Sequence, residues 1–323
     1  MPNSNAEPSG GRRPMAYELD PAQPLDAEVR RIAINLIDHA LAQIEAAEAA
    51  PHEAVHEVRK DCKKLRGLLR LIRPAVPSLY KQENAVFRDA AAALSGLRDA
   101  EAAIETFDAL IDHFRANLDP ESLAPLRQGF EDHKASVAAG AQALDEQLDL
   151  ARTALVAARE RVPEWVLPTD RAHADAHGEA GWSLIGAGLH KTYQRGRRAM
   201  QDAYAQPSVA AFHEWRKRAK YLRYHLRLVR AAWPRVLKAT YKEAKHLGDL
   251  LGDDHDLAVL EQLIDQADAF SPNRDPEQIL LALSAQRSAQ LREAAHGLGS
   301  RLYAEKPKQL DRRLQCYWQA ARG

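Results

Sequence analysis

An all-α fold, built from one helical unit used twice, is what this sequence predicts, and three observations predict it. Apolar residues recur at helical spacing through almost the whole chain, in runs rich in Ala, Leu, Glu, Gln, Arg and Lys with few β-branched clusters. Proline falls mostly at the edges of these runs. The third observation is a long-range repeat. HEVRKDCKKLRGLLRLIR, residues 56–73, returns as HEWRKRAKYLRYHLRLVR, residues 213–230, offset by 157 residues without a gap and identical at 11 of 18 positions. A return in register at that distance marks a duplicated unit.

The elements follow in order. Residues 1–24, rich in Pro, Ser, Asn and Gly, have little to bury and read as a disordered leader. The first helical pattern begins at Leu25 and continues through VRRIAINLIDHALAQIEAAE. Pro51 opens the next helix at a first-turn position, where a missing N–H does no harm, and Pro74 and Pro77 close it. Helices then read from Leu79 to Leu97, from Asp99 to Asn117, and as one long element from Glu121 to Arg161. The stretch 162–181 carries Pro163, Pro168 and Gly178 and reads as a linker. That leaves 25–161 as a first helical bundle and 182–323 as a second. The pattern restarts at Trp182, again 157 residues after Leu25. Downstream, Leu94, Arg98 and Asp99 map at this offset onto Leu251, His255 and Asp256, and Arg88 maps onto Lys245. Asp119-Pro120-Glu121 returns as Asp275-Pro276-Glu277, now shifted by one. Two bundles related by an approximate two-fold axis bring the repeated basic helices together around a shared cationic cleft.

Wound at 3.6 residues per turn, the first copy separates into two faces. Val58, Leu65, Leu68, Leu69 and Ile72 form an apolar stripe, and His56, Arg59, Lys60, Lys63, Arg66 and Arg70 form the opposite face. The second copy repeats this, with Trp215, Leu222, Leu226 and Val229 inward and His213, Arg216, Lys217, Lys220, Arg223 and Arg227 outward. Each copy holds seven Lys or Arg, against two acids in the first and one in the second. Like charges three or four apart on a helix cost about 0.2–0.5 kcal/mol per pair, so the arrangement gains nothing in isolation. A bound polyanion reverses that sign.

The formal net charge of zero hides a segregation. Residues 56–73, 190–198 (HKTYQRGRR) and 213–230 hold 18 of the 45 basic residues and 3 of the 45 acidic ones, which leaves 27 basic against 42 acidic residues elsewhere. A cationic site on an acidic body holds a polyanion locally while the outer surface repels nonspecific ones. Two cysteines, Cys62 and Cys316, make neither a disulfide framework nor a zinc site. No apolar run approaches the length needed to cross a bilayer, and Arg12-Arg13 is followed by PMAYELDPAQP rather than an apolar stretch, so the chain reads as a soluble cytoplasmic protein without a membrane partner.

The pattern HxxRKxxKxLR in both halves, with LxxxRD or a variant downstream, resembles the CHAD family, the conserved histidine α-helical domain, over residues 25–320. The resemblance implies two four-helix bundles around a central basic cavity and binding of inorganic polyphosphate, often at polyphosphate granules. His56 and His213 are then the name-giving histidines. Arg59, Lys60, Lys63 and Arg66, with Arg216, Lys217, Lys220 and Arg223, take the place of phosphate ligands. Lys191, Arg195, Arg197 and Arg198 resemble the family's additional basic rim. The first half has Ile34, Asp38, Ala40 and Leu41 at those positions, so the cavity is expected to be lopsided. Arg70, Arg227, Arg88 and Lys245 complete the expected polyphosphate-binding set. His255 departs from the arginine of the downstream motif, which puts its charge in question.

Arg grips phosphate oxygens in a fork and Lys acts as a point charge. Spacing of three and four along a helix sets donors about one 5.4 Å turn apart, which suits charge repeated along a chain. The histidines are expected to hydrogen-bond phosphate and to favour binding near pH 6 over pH 8. Asp253-Asp254-His255-Asp256 is a poor chelate because consecutive helical residues point apart, so Asp99 and Asp256 are expected to orient nearby cations or to cap a helix. Trp215 falls on the apolar face, while Tyr221 and Tyr224 among the cations keep nucleic acid or nucleotide as a second reading. A phosphohydrolase is the third. The chain has no GxxxxGK loop and lacks the ExExK string of the triphosphate tunnel domains fused to some relatives. It is therefore read as a non-enzymatic protein with no cofactor and no metal.

Overall fold

The computed structural model describes residues 17–94, 96–140, 144–168, 181–266 and 275–322, and all regular structure among them is helical. The helices are α1 (Leu25–Glu45), α2 (Pro51–Ile72), α3 (Pro77–Ala93), α4 (Gly96–Phe114), α5 (Ala124–Gly140) and α6 (Leu144–Arg161), followed by α7 (Trp182–Ala205), α8 (Val209–Leu228), α9 (Pro234–Gln266), α10 (Asp275–Leu302) and α11 (Pro307–Ala320). Proline sits in the first turn of α2, α3 and α11, as its fixed φ and missing N–H favour. The Ser208 side chain caps α8 by accepting from the Ala211 N–H.

The 157-residue offset carries α1 onto α7 and α2 onto α8, and the single helix α9 covers the span that α3 and α4 share in the first half. The long helix expected over 121–161 is resolved into α5 and α6, with 141–143 outside the described residues. These two pack against different partners, α5 on α4 and α6 on α1 and α3.

The inward residues of both basic helices are buried as the helical spacing requires: Val58, Leu65, Leu68, Leu69 and Ile72 on α2, and Trp215, Leu222, Leu226 and Val229 on α8. The core does not divide between the halves. One cluster runs through α1, α2, α3 and α6 into α7, α8, the start of α9 and α11. A second joins Ile104, Phe107 and Leu110 of α4 and Phe130 of α5 to Leu257, Leu260 and Ile264 of α9 and Leu280 and Leu291 of α10, so it draws on both copies. Glu83, buried on α3, takes a two-pronged bond from Arg161 of α6 at 2.8 and 2.9 Å, which supplies the partner a buried carboxylate requires.

Two boundaries differ from the expectation. The leader read over 1–24 falls outside the described residues only as far as residue 16. From there, Tyr17 and Leu19 are buried, and the Leu19 N–H donates to the Leu228 carbonyl at 2.8 Å. The Tyr17 hydroxyl donates to the Lys64 carbonyl at 2.8 Å, so this short segment ties α2 to α8. The reason is that a Tyr and a Leu bring enough apolar area to order a segment whose composition is otherwise polar. The linker read over 162–181 likewise begins as core, because Val162, Trp165 and Leu167 are buried and Arg30 donates to the Trp165 carbonyl at 2.7 Å. Residues 169–180 lie outside the described set.

Candidate polyanion site

α2 and α8 meet at equivalent positions. Gly67 lies against Tyr224, its counterpart 157 residues on, and a Cβ built on Gly67 would stand 2.7 Å from the Tyr17 hydroxyl and 3.1 Å from Tyr224 Cβ. Glycine in one copy is what admits the bulky Tyr of the other. Beside it the buried His225 ring lies with Nε2 at 3.1 Å from the Gly67 carbonyl. Burial pushes that imidazole down to about 3, so it is neutral and Nε2–H donates. His225 is an uncharged cross-link between the two basic helices. It escaped the sequence reading because its position is polar in type yet corresponds to Leu68, a core residue.

From this crossing the cations fan out. Arg59 of α2 donates to the Ala91 carbonyl at the end of α3 at 3.2 Å, and Arg66 donates to Asn84 at 3.2 Å. On α8, Arg223 stands 3.9 Å from Asp249 of α9 and Arg216 3.8 Å from Asp256, so Asp256 orients a cation as expected. Arg216 and Lys220 lie beside Gly252 and Gly248 of α9. Lys220 is pushed down to about 7, by burial first and then by repulsion from Arg216, Lys63 and Arg223, with Asp256 acting the other way. Lys63 and Lys220 are the same residue of the two copies, close enough to oppose each other's charge. Burial, with Arg216 second, also lowers Arg216's neighbour His255 to about 4, which leaves its imidazole neutral near pH 7. Its Nδ1 stands 3.3 Å from that of His213, whose pKa is lowered by burial and by Lys217 and Arg216. His56 is exposed on α2.

Several other members of the expected set have local partners. Lys60 binds Glu57 at 2.8 Å and Lys217 binds Glu214 at 2.5 Å, each three residues back on its own helix. Arg88 pairs with the adjacent Asp89 at 2.7 Å, Lys245 with Asp249 at 2.7 Å, and Arg198 with Asp202 at 3.8 Å. Arg227 lies 6.0 Å from the centroid of the Tyr17 ring, and Arg197 is half-buried on α7. Lys191 and Arg195 meet Arg70 in a pocket between α2, α7 and α8. Arg70 stacks 4.0 Å from the Tyr221 ring centroid, and Tyr224 takes Tyr17 edge-on at 6.0 Å. Trp215 is fully buried. The side chains of Arg98 and Asp99 lie outside the described set.

Among the described residues no group of three or more His, Cys, Asp or Glu side chains is placed to hold a metal, and no helix is long and apolar enough to cross a membrane. Cys62 is buried with its thiol pushed up to about 12 by burial first and Asp61 second, so it is inert near neutral pH.

A family model described as CHAD domain matches residues 31–265. Among curated proteins none matches the sequence. Among solved structures, the crystal structure of the CHAD domain from the plant Ricinus communis is similar in fold. It aligns with a TM-score of 0.60 at 20% identity, over 89% of this chain and 97% of that one.

Proposed function

The chain belongs to the CHAD domain family, and on that premise we propose that it binds inorganic polyphosphate between its two basic helices, as a non-enzymatic module of the cytoplasm that associates with polyphosphate granules. In this reading the fold is a pair of pseudo-two-fold-related four-helix bundles around a central basic cavity. The observation that carries it is the convergence of Lys63 and Lys220 with Arg216 and Arg223, where like charges from both copies are held together at a cost that lowers Lys220 to about 7. A chain of phosphates removes that cost at every turn of α2 and α8, because its charge repeats as theirs does. Arg59, Arg66, Arg216 and Arg223 offer forks to phosphate oxygens, and Lys63 and Lys220 act as point charges.

The geometry favours polyphosphate over nucleic acid. A base-stacking platform needs open aromatic faces, whereas Arg70 covers Tyr221 and Tyr17 meets Tyr224. Competition separates the two at fixed ionic strength, since both ligands release counterions. Long-chain polyphosphate is expected to displace labelled single-stranded DNA or RNA at equal phosphate concentration, and Lys63→Glu with Lys220→Glu to abolish polyphosphate binding while circular dichroism stays unchanged. Failure to displace, or full binding by the double variant, overturns the reading. Absence of phosphate release from polyphosphate with magnesium is expected alongside.

A further inference from the structure

At one end of the α2 cation row lies a pocket between α2, α7 and α8, lined by Arg70, Arg73, Lys191, Arg195 and Arg218 together with the Thr192 hydroxyl. Its wall is closed where Gly188 of α7 lies against α2, since a Cβ built there would stand 1.7 Å from the Leu71 carbonyl oxygen. No acid lines it. The nearest influence of opposite sign is Glu214, which is bound to Arg218 and to Lys217. Burial first, and then Arg218, Arg73 and Arg70, depress Arg195 below the ordinary guanidinium range, so these four guanidinium groups oppose one another.

The first half of the chain does not repeat this set of cations. At the 157-residue offset, Arg195 corresponds to Asp38, Arg218 to Asp61 and Lys191 to Ile34. Asp38 is bound to Arg159, and the buried Asp61 to His39 and Lys64. The counterparts of Arg70 and Arg73 are Arg227 and Arg230, and there the chain supplies its own filling. The Tyr17 ring faces Arg227, and the Glu18 carboxylate is ion-paired with Arg230. The molecule thus offers a cationic pocket at the α7 side and an internal carboxylate at the matching place on the α1 side.

The geometry points to a subsite for a terminal phosphoryl group of a polyphosphate chain at the mouth of the pocket of Arg70, Arg73, Lys191, Arg195 and Arg218, so that the chain binds with one end held rather than threading through. This rests on the polyphosphate reading and adds end recognition to it. Arg70 belongs both to the α2 row and to the pocket, and therefore joins the repeating part of the ligand to its end. A terminal phosphoryl carries about −1.5 to −2 near neutral pH and three acceptor oxygens, against one charge on an interior unit. An end group of that kind suits a pocket lined by five cations and no acid.

The test compares short linear polyphosphate of defined length with the same chain capped at both ends as phosphoramidates, by titration calorimetry against the full-length protein. The wild type is expected to bind the uncapped chain about tenfold more tightly, as charge-assisted bonds to one end group allow. Arg73→Gln with Arg218→Gln should bind both chains alike, at the affinity the wild type has for the capped one. Lys63→Gln with Lys220→Gln should weaken both by the same factor and keep the preference. If the pocket variant does not fold, the single Arg73→Gln gives the same comparison. Equal wild-type binding of capped and uncapped chains, or a preference that survives Arg73→Gln, overturns end recognition while leaving polyphosphate binding intact. Binding of neither chain by the wild type overturns both.

Discussion

At Lys220 the ε-ammonium sits half-buried among Arg216, Arg223 and Lys63 and is lowered to about 7. Its folded value thus lies below that of an unfolded lysine, so the unfolded chain binds the extra proton between about pH 7 and 10, and the ligand-free protein gains stability as pH rises through that window. A bound polyanion favours the charged form and draws the proton back. Binding at pH 7.5 is therefore expected to take up protons, measured by calorimetry in two buffers of different ionisation enthalpy, and affinity to fall from pH 6 to pH 8. Lys220→Met should abolish the uptake, and undiminished uptake in that variant would assign it elsewhere. The sequence suggested this pH dependence but attributed it to histidines. The expectation named His56 and His213; in the fold, burial first and then Lys217 and Arg216 hold His213 below its ordinary value, and burial among cations brings Lys220 close to neutral pH as well. What a sequence cannot display is which outward cations repel one another across the repeat. Lys63 adds to the repulsion on its counterpart Lys220, whereas Lys60 and Lys217 turn to glutamates on their own helices.

The helix ends that sequence placed best were those fixed by local chemistry, such as the prolines that open α2 and follow it at 74 and 77. The core faces of α2 and α8 were legible for the same reason, since helical spacing alone sorts Leu65 and Leu222 from Arg66 and Arg223. Contacts between elements were not. Nothing local marks Gly67 as the place where α2 crosses α8, or Gly188 as the place where α7 touches α2, because a glycine's meaning there lies in the backbone it approaches. Gly188→Val tests this at the scale of helix packing. The Leu71 carbonyl leaves no room for a Cβ, so the helices must part, and denaturant unfolding is expected to show a loss of about 3 kcal/mol. An unchanged midpoint would mean that α7 and α2 do not pack this closely. The same blindness to tertiary context let Tyr17 and Leu19 pass as leader and Trp165 as linker, although each is buried against helices distant in sequence.

Over the whole molecule, charge is sorted rather than balanced. The three basic segments carry 18 of the 45 Lys and Arg, and the rest of the chain is acidic in excess, so a net charge of zero conceals a site of one sign. Duplication sets α2 and α8 against each other at equivalent residues, while one continuous apolar cluster holds the halves in place. Divergence between the copies gives the site two unlike ends, with arginines at 195 and 218 where the first half has aspartates. The central claim is that the two basic helices form one polyanion site and not two patches, and stoichiometry decides it. Titration calorimetry with short polyphosphate is expected to give one chain per protein for the wild type, and either Lys63→Glu or Lys220→Glu alone should weaken binding by tenfold or more, about 1.4 kcal/mol or beyond. Two chains bound per protein, or one site of full affinity surviving in each single variant, would contradict it.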